Sequence, residues 1–219
     1  MKRVASKPYE PSRKDILHCR RKTVGVATEQ FEIDGIKLDL KDVGGQRNER
    51  KKWQKGNGGL KKNSKLKQKF YKVLGSVDIL IYIVSLSDYD EVLYENKDTN
   101  KMKEAVEVFD ATVNLDWFRE SPIILIFNKK DLLDKKIQES DTLKDVFPEY
   151  KGGKDPKKAE EFIQTMFLDL YKGNPNNIHQ FTTSVLIPDS AKEAFQSLVQ
   201  EAKNLIEIGN IKDPISKKK

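Results

Sequence analysis

The chain has a single cysteine, Cys19, among its 219 residues. One thiol excludes an internal disulfide and with it the small disulfide-stapled secreted class, so a reducing compartment is the natural reading. The two histidines, His18 and His179, have no partners at ligand spacing, and no zinc site is expected. Long apolar runs are missing too: the best, Ile79 to Val84, is strand-sized and too short to cross a bilayer. The N-terminal MKRVASKPYE has no signal-peptide core, and Lys2 stands where myristoylation requires glycine. These absences point to a cytoplasmic protein, and any membrane contact is expected to be peripheral and electrostatic, at the cytoplasmic face of the plasma membrane. A phosphate-loop pattern G-x-x-x-x-G-K-[ST] is also lacking, since Gly153-Lys154 is followed by Asp155 and has no upstream glycine.

Charge, by contrast, is abundant. Charged residues make up 34% of the chain, hydrophobic residues 37%, and the net charge is +7. That excess is local. Residues 50–72 hold ten Lys or Arg and no acid, and the chain ends Lys217-Lys218-Lys219. Two basic runs account for the balance without a nucleic-acid-binding fold, and no nucleic-acid partner is expected. The first run is read as a solvated insertion, with an acidic membrane surface or acidic partner as its functional alternative.

The pattern of apolar residues gives the architecture. Residues 1–14 carry Pro8 and Pro11 and read as an arm, with Ser12 as the N-cap of a short helix through Leu17. Val24 to Ile33 and Ile36 to Lys41 read as strands joined by Asp34-Gly35, a two-residue hairpin signal. In Ile36-Lys37-Leu38-Asp39-Leu40-Lys41 the strict alternation predicts a half-buried strand. Asp78 to Ser85 and Ile123 to Phe127 are continuous apolar runs, expected as fully buried strands. Between them, Asp88 to Phe118 is expected to be mostly helical, in two pieces divided near Asn96 to Asn100. Asp131 to Pro156 reads as a polar connection to a helix over Lys157 to Tyr171. Gln180 to Ser184 is expected as the last strand and Ser190 to Ile208 as the last helix. Strands alternating with helices predict an open, mostly parallel α/β sheet in one domain.

Ligands of such sheets bind beyond the carboxyl ends of the strands. Asp42, Ser87-Asp88, Asn128-Lys129-Lys130-Asp131 and Thr183-Ser184 are all placed there by this reading, as four polar clusters on one rim. The stretch DVGGQRNERKKW (42–53) has the chemistry of a phosphate sensor. Its acid can hold a cation, its glycine pair lets backbone N–H groups approach an anion, and Gln46 can orient a water. In Asn128-Lys129-Lys130-Asp131, a carboxylate can accept from the ring N–H and exocyclic amine of guanine, a pair of donors that adenine does not offer.

Together these segments resemble the C-terminal half of a heterotrimeric G-protein alpha subunit. The resemblance is carried by DILHCRRKTVG (15–25), DVGGQRNERKKW (42–53), LSDYDEVL (86–93), FNKKDLL (127–133) and FPEY (147–150), and it runs from about Arg3 to about Asp213. It implies a P-loop-GTPase-like, three-layer α/β fold with a mostly parallel sheet. It also implies a partial GTPase domain over 15–213, interrupted by a basic insertion at 54–71 and followed by a basic tail at 214–219. GTP or GDP and Mg²⁺ are the implied cofactors. Arg20 would steady charge on the transferred phosphoryl group, and Gln46 would orient the attacking water. Thr23 and Asp42 would hold the Mg²⁺ shell, and the Gly45 amide would sense the γ-phosphate. The implied nucleotide contacts are Leu17, His18, Cys19, Arg20, Arg21, Lys22 and Thr23, then Asp42, Val43, Gly44, Gly45 and Gln46. Asn128, Lys129, Lys130 and Asp131 would bind the base. Ser184 would offer it a backbone N–H, although Thr182-Thr183-Ser184 stands where the family has Thr-Cys-Ala. The implied partners are beta–gamma subunits, receptors and effectors.

The same resemblance places the family's phosphate loop, its central first strand and most of its helical domain upstream of the first residue. Weakened GTP binding and hydrolysis are therefore expected. Three readings stay open on these residues: an alpha-subunit-like GTPase, a non-catalytic module that docks beta–gamma subunits or an effector, and a fragment of a full subunit.

Overall fold

The computed structural model describes residues 8–19, 23–33, 35–45, 49, 77–115, 118 and 121–207. Arg20, Arg21, Lys22, Gln46, the basic insertion and the lysine tail lie outside the described residues, as do residues 1–7 of the arm. The chain divides into two compact units, Met1–Leu74 and Gly75–Lys219.

In the first unit, helix α1 (Arg13–His18) begins at Ser12, as its sequence predicts. The Ser12 hydroxyl accepts from the Asp15 amide while the Asp15 carboxylate accepts from the Ser12 amide, a reciprocal capping box. Strands β1 (Val26–Ile33) and β2 (Ile36–Val43) form an antiparallel hairpin in the register Ile33↔Ile36 through Val26↔Val43. Gly35 sits at φ +80°, a conformation that a side chain disfavours. The expected half-burial is only partly met. Ile36 and Leu38 are half-buried, but Leu40 is 44% exposed and Phe31 45%. Two strands offer little apolar surface to one another, so the alternation finds cover at one end only.

The second unit holds a parallel sheet in the order β3-β4-β5, comprising Leu80–Ser85, Ile123–Asn128 and Ile178–Thr182. Its core lies where β4 sends Ile123, Leu125 and Phe127 to one face. Against that face pack α2 (Lys101–Val113), α3 (Lys130–Glu139) and α5 (Pro156–Leu168), with the one-turn helix α4 (Leu143–Val146) beside them. Phe109 of α2 meets Tyr82 at 5.0 Å and Phe167 of α5 at 5.3 Å between ring centroids, and Phe167 meets Phe127 at 5.8 Å, all edge to face. This geometry matches the positive rim of one ring to the negative face of the next. On the opposite face of β4 lies Ile124, in register with His179 of β5, whose Nδ1 is 3.1 Å from Glu201. Glu201 belongs to α6 (Pro188–Glu207), which buries Val199, Ala202 and Leu205. Helices therefore lie on both faces of this sheet, giving it three layers, although the face opposite the core is covered only in part.

Three expectations need correction. Strand β3 is not fully buried: Ile83 is 63% exposed, because β3 has a strand neighbour on one side only within its sheet. Leu86–Asp90 is a single 3₁₀ turn, followed by an isolated antiparallel bridge between Val92 and Asn100, so α2 is the one α-helix described in that stretch. The connection after Asp131 is mostly helix rather than coil, since α3 continues to Glu139.

Candidate functional site

The carboxyl ends of β4 and β5 build one site in the second unit. Buried β4 delivers Asn128 to the rim, and the chain then turns through Lys129 at φ 64°, ψ 38° before α3 begins. A left-handed lysine is strained, and here three elements hold it. The Asn128 Oδ1 accepts from the Lys129 amide at 2.7 Å and from the Val185 amide at 3.1 Å, tying the β4 end to the β5 end. The Thr183 carbonyl accepts from the Lys130 amide, and the Thr183 amide donates to the Phe127 carbonyl. The Lys129 ammonium lies 3.3 Å from Asp88, which also accepts from the Ser85 hydroxyl at 2.7 Å. Thus Asp88, Asn128–Asp131 and Thr183–Ser184, three of the four clusters expected on one rim, are brought together, whereas Asp42 belongs to the first unit.

The start of α3 explains why Ser184 matters. Its N-cap position is Lys129, which offers no side-chain acceptor. The cap comes instead from Ser184, whose hydroxyl accepts from the Asp131 amide at 3.0 Å. An alanine there could not do this. The Ser184 amide is also engaged, donating to the Ser190 hydroxyl at 2.9 Å. Asp131 itself is exposed, and its carboxylate has no hydrogen-bond partner among the described residues. It sits in the first turn of α3. Lys130 points elsewhere, pairing with Asp134 and Glu160 at 2.9 Å each, so it joins α3 to α5.

In the first unit, the Thr23 hydroxyl donates to the Asp42 carboxylate at 3.1 Å. Among the described residues no group of three or more His, Cys, Asp or Glu could hold a metal. One carboxylate and one hydroxyl fit Mg²⁺ well, because it is usually held by few protein ligands with waters and phosphates completing the shell. Gly44 is needed for close approach: a Cβ there would lie 2.8 Å from the Glu49 side chain and 2.9 Å from the Thr23 carbonyl. At Gly45 a Cβ would meet nothing within 4 Å. Val43 ends β2, and Leu17 and His18 end α1. Leu17 is 58% exposed, and the Cys19 thiol is free and exposed.

Two residues escaped the sequence reading. Glu49 is buried, and its carboxylate accepts from the Gly25 amide at 3.1 Å, pinning the segment after the glycine pair to the start of β1. Its one signal was an acid set among the bases of RNERKKW. Lys136 of α3 clasps the 3₁₀ turn, donating to the Ser87 carbonyl at 2.8 Å and to Asp90 at 2.6 Å, with Glu91 at 3.5 Å.

That clasp sets a pH dependence. The hydrogen bond from Lys101 holds the Glu91 carboxyl below its ordinary 4.5, against burial and with help from the charges of Lys101 and Lys136. A lowered folded pKa contributes stability that is present above about pH 4.5 and is lost as pH falls through the folded value. For Lys136, burial disfavours the ammonium, but the hydrogen bond and charge of Asp90, joined by Glu91, raise it above 10.5. Its contribution is present below that value and is lost only at higher pH. Replacing Lys136 by Met is expected to cost about 1 kcal/mol at pH 7, a modest figure because the pair is partly solvated. Urea melts of both proteins should show the gap narrowing below about pH 4.5.

The geometry defines an α/β protein with a polar rim at the carboxyl ends of its parallel strands. A sequence model of the G-protein alpha subunit matches residues 1–202. The chain therefore belongs to the G-protein alpha subunit family, whose fold is that of the P-loop GTPases. It is 38% identical over 196 residues to a guanine nucleotide-binding protein alpha-2 subunit of Dictyostelium discoideum, covering 90% of this chain and 50% of that one. To a G(o) subunit alpha of Locusta migratoria it is 34% identical over 196 residues, with the same coverage. To one of Caenorhabditis elegans it is 38% identical over 167 residues, covering 76% of this chain and 42% of the relative. The chain spans about half the length of the curated relatives it matches first. Among the described residues no helix is long and apolar enough to cross a membrane.

Proposed function

We propose that this chain binds a guanine nucleotide with Mg²⁺ and serves as an alpha-subunit-like signal transducer between receptors and effectors. The observation that carries the reading is the Asp131 carboxylate, exposed and unpartnered among the described residues at the start of α3. The Asn128 and Ser184 bonds hold the loops on either side of it. An anionic acceptor at that point can take the ring N–H and exocyclic amine of guanine, and it repels the ring nitrogen that adenine presents instead. The Lys129 stem, fixed by its backbone and by Asp88, is the flat apolar wall against which a base can lie.

Thr23 and Asp42 would hold Mg²⁺, which supplies charge neutralisation of the nucleotide phosphates. Gly44 keeps the backbone of the sensor close to β1, and Gly45 leaves its own Cβ position open to a ligand. Arg20 and Gln46 are assigned hydrolytic roles by family match: Arg20 as the cation beside the transferred phosphoryl group, Gln46 as the residue orienting water. The partners proposed on the same ground are beta–gamma subunits, a receptor and an effector. Peripheral attachment through the bases of residues 50–72 at the cytoplasmic face of the plasma membrane completes the proposal.

Titration of the purified chain with fluorescent GDP and ADP analogues in Mg²⁺ tests the reading. Saturable GDP binding at about tens of micromolar is the predicted result. Equal behaviour of the two nucleotides, or no saturation with either, would refute it.

A further inference from the structure

The amide at the end of β5 that the family match assigns to the base is already taken. The Ser184 N–H donates to the Ser190 hydroxyl at 2.9 Å, and Ser184 is only 6% exposed. Ser190 lies in the first turn of α6, and two further bonds fix it there. The Thr183 hydroxyl is 3.1 Å from the Ser190 hydroxyl and donates to the Ser190 carbonyl at 3.2 Å. Thr183 is itself buried and anchored through its amide to Phe127 and through its carbonyl to Lys130. The Ser190 oxygen is thus a built-in acceptor for the Ser184 amide, the donor that the guanine-nucleotide reading would give to an exocyclic oxygen of the base.

We propose that Ser190 is a specificity-determining residue that acts as an internal surrogate for the 6-oxo group of the purine. It withholds the Ser184 amide from the base and leaves recognition to Asp131. This inference rests on the guanine-nucleotide reading and deepens it. A ligand oxygen at that point has to displace the serine hydroxyl, and one hydrogen bond is exchanged for another rather than gained. The chain therefore discriminates weakly at purine position 6 and strongly at positions 1 and 2, where Asp131 acts. Ser184 compensates in part, because its own hydroxyl caps α3 and keeps Asp131 in place while its amide is engaged elsewhere. The same exchange couples the nucleotide to α6, since the displaced hydroxyl belongs to that helix's first turn.

The test compares the full chain with Ser190→Ala and Ser190→Thr, using GDP and 6-thio-GDP as probes. The sulfur analogue keeps the ring N–H and the amine that Asp131 reads, and replaces the oxygen by a poor acceptor. Removing the surrogate acceptor should tighten GDP binding by about 5-fold, the equivalent of one net neutral hydrogen bond. The preference for GDP over 6-thio-GDP should rise by a similar factor, and Ser190→Thr should behave as the parent because it keeps the hydroxyl. The Ser190→Ala fold has a reason to survive, since the bond from Thr183 to the residue 190 carbonyl needs no side chain there. Hydrogen exchange of the Ser184 amide, followed by NMR without nucleotide, should accelerate in Ser190→Ala and not in Ser190→Thr.

If both proteins bind GDP with the same affinity and the same preference over the sulfur analogue, the surrogate role is overturned while guanine binding stands. Unchanged exchange at Ser184 in Ser190→Ala overturns it without any ligand. If neither protein binds GDP, the nucleotide reading falls and the role of Ser190 falls with it.

Discussion

Replacing Asp131 by Asn is expected to lower guanine-nucleotide affinity by roughly two orders of magnitude, about 3 kcal/mol, while leaving the fold intact. In the proposed complex the carboxylate would accept two hydrogen bonds from guanine, each strengthened by its negative charge. An asparagine keeps one acceptor and turns an –NH₂ donor toward a donor on the base. The backbone should not notice. Ser184 caps α3 through the Asp131 amide, not through its side chain. The Asp131 carboxylate is exposed and makes no hydrogen bond among the described residues, so its removal leaves no buried group unpaired. Fluorescent GDP titration beside a urea melt separates the two effects. A fall in affinity with an unchanged melt is the expected outcome, and equal affinity would place base recognition elsewhere.

The second large effect concerns the platform beneath that site. Phe167→Ala should destabilise the second unit by about 3–5 kcal/mol, as aromatic truncations in closed cores do. Phe167 is fully buried and sits between Phe109 of α2 and Phe127 of β4, meeting both edge to face. Its removal opens a ring-sized void under the strand that ends in Asn128, and the neighbours that would have to collapse into it are held by β4 and α2. Against a typical total of about 5–15 kcal/mol for a domain, this is a large share. Loss of the folded baseline in urea at a markedly lower midpoint is the expected result. A change under about 1 kcal/mol would mean that the three-ring stack is not the centre of the core.

How far these features could be read in the sequence depended on whether local signals or distant partners set them. Strand β4 was legible because Ile123 to Phe127 is an unbroken apolar run of strand length, and Asn128 follows it directly. The hairpin was legible in Asp34-Gly35 and the capping box in Ser12 and Asp15, since each device is complete within a few residues. Helix α3 looks like a polar connection in the sequence for a physical reason. Its start carries no Ser, Thr, Asp or Asn at the N-cap, and the acceptor arrives from Ser184, far along the chain. Only Leu133 and Ile137 mark its buried face. Exposure of Ile83 was hidden likewise, because an apolar run states a preference for burial and not whether a sheet supplies a neighbour on each side. At the site, the strand ends that carry the polar rim are legible from spacing. That Lys130 serves α5, and that Ser190 occupies the Ser184 amide, depended on side-chain directions that no local pattern encodes.

Base recognition at the ends of β4 and β5 is the central claim, and amide-resolved NMR of the labelled chain tests it most directly. Addition of GDP with Mg²⁺ should shift the amides of Asn128 through Asp131 and of Ser184 and Val185, and ADP should leave them in place. GDP-dependent shifts confined to other residues, or identical shifts with ADP, would contradict the account.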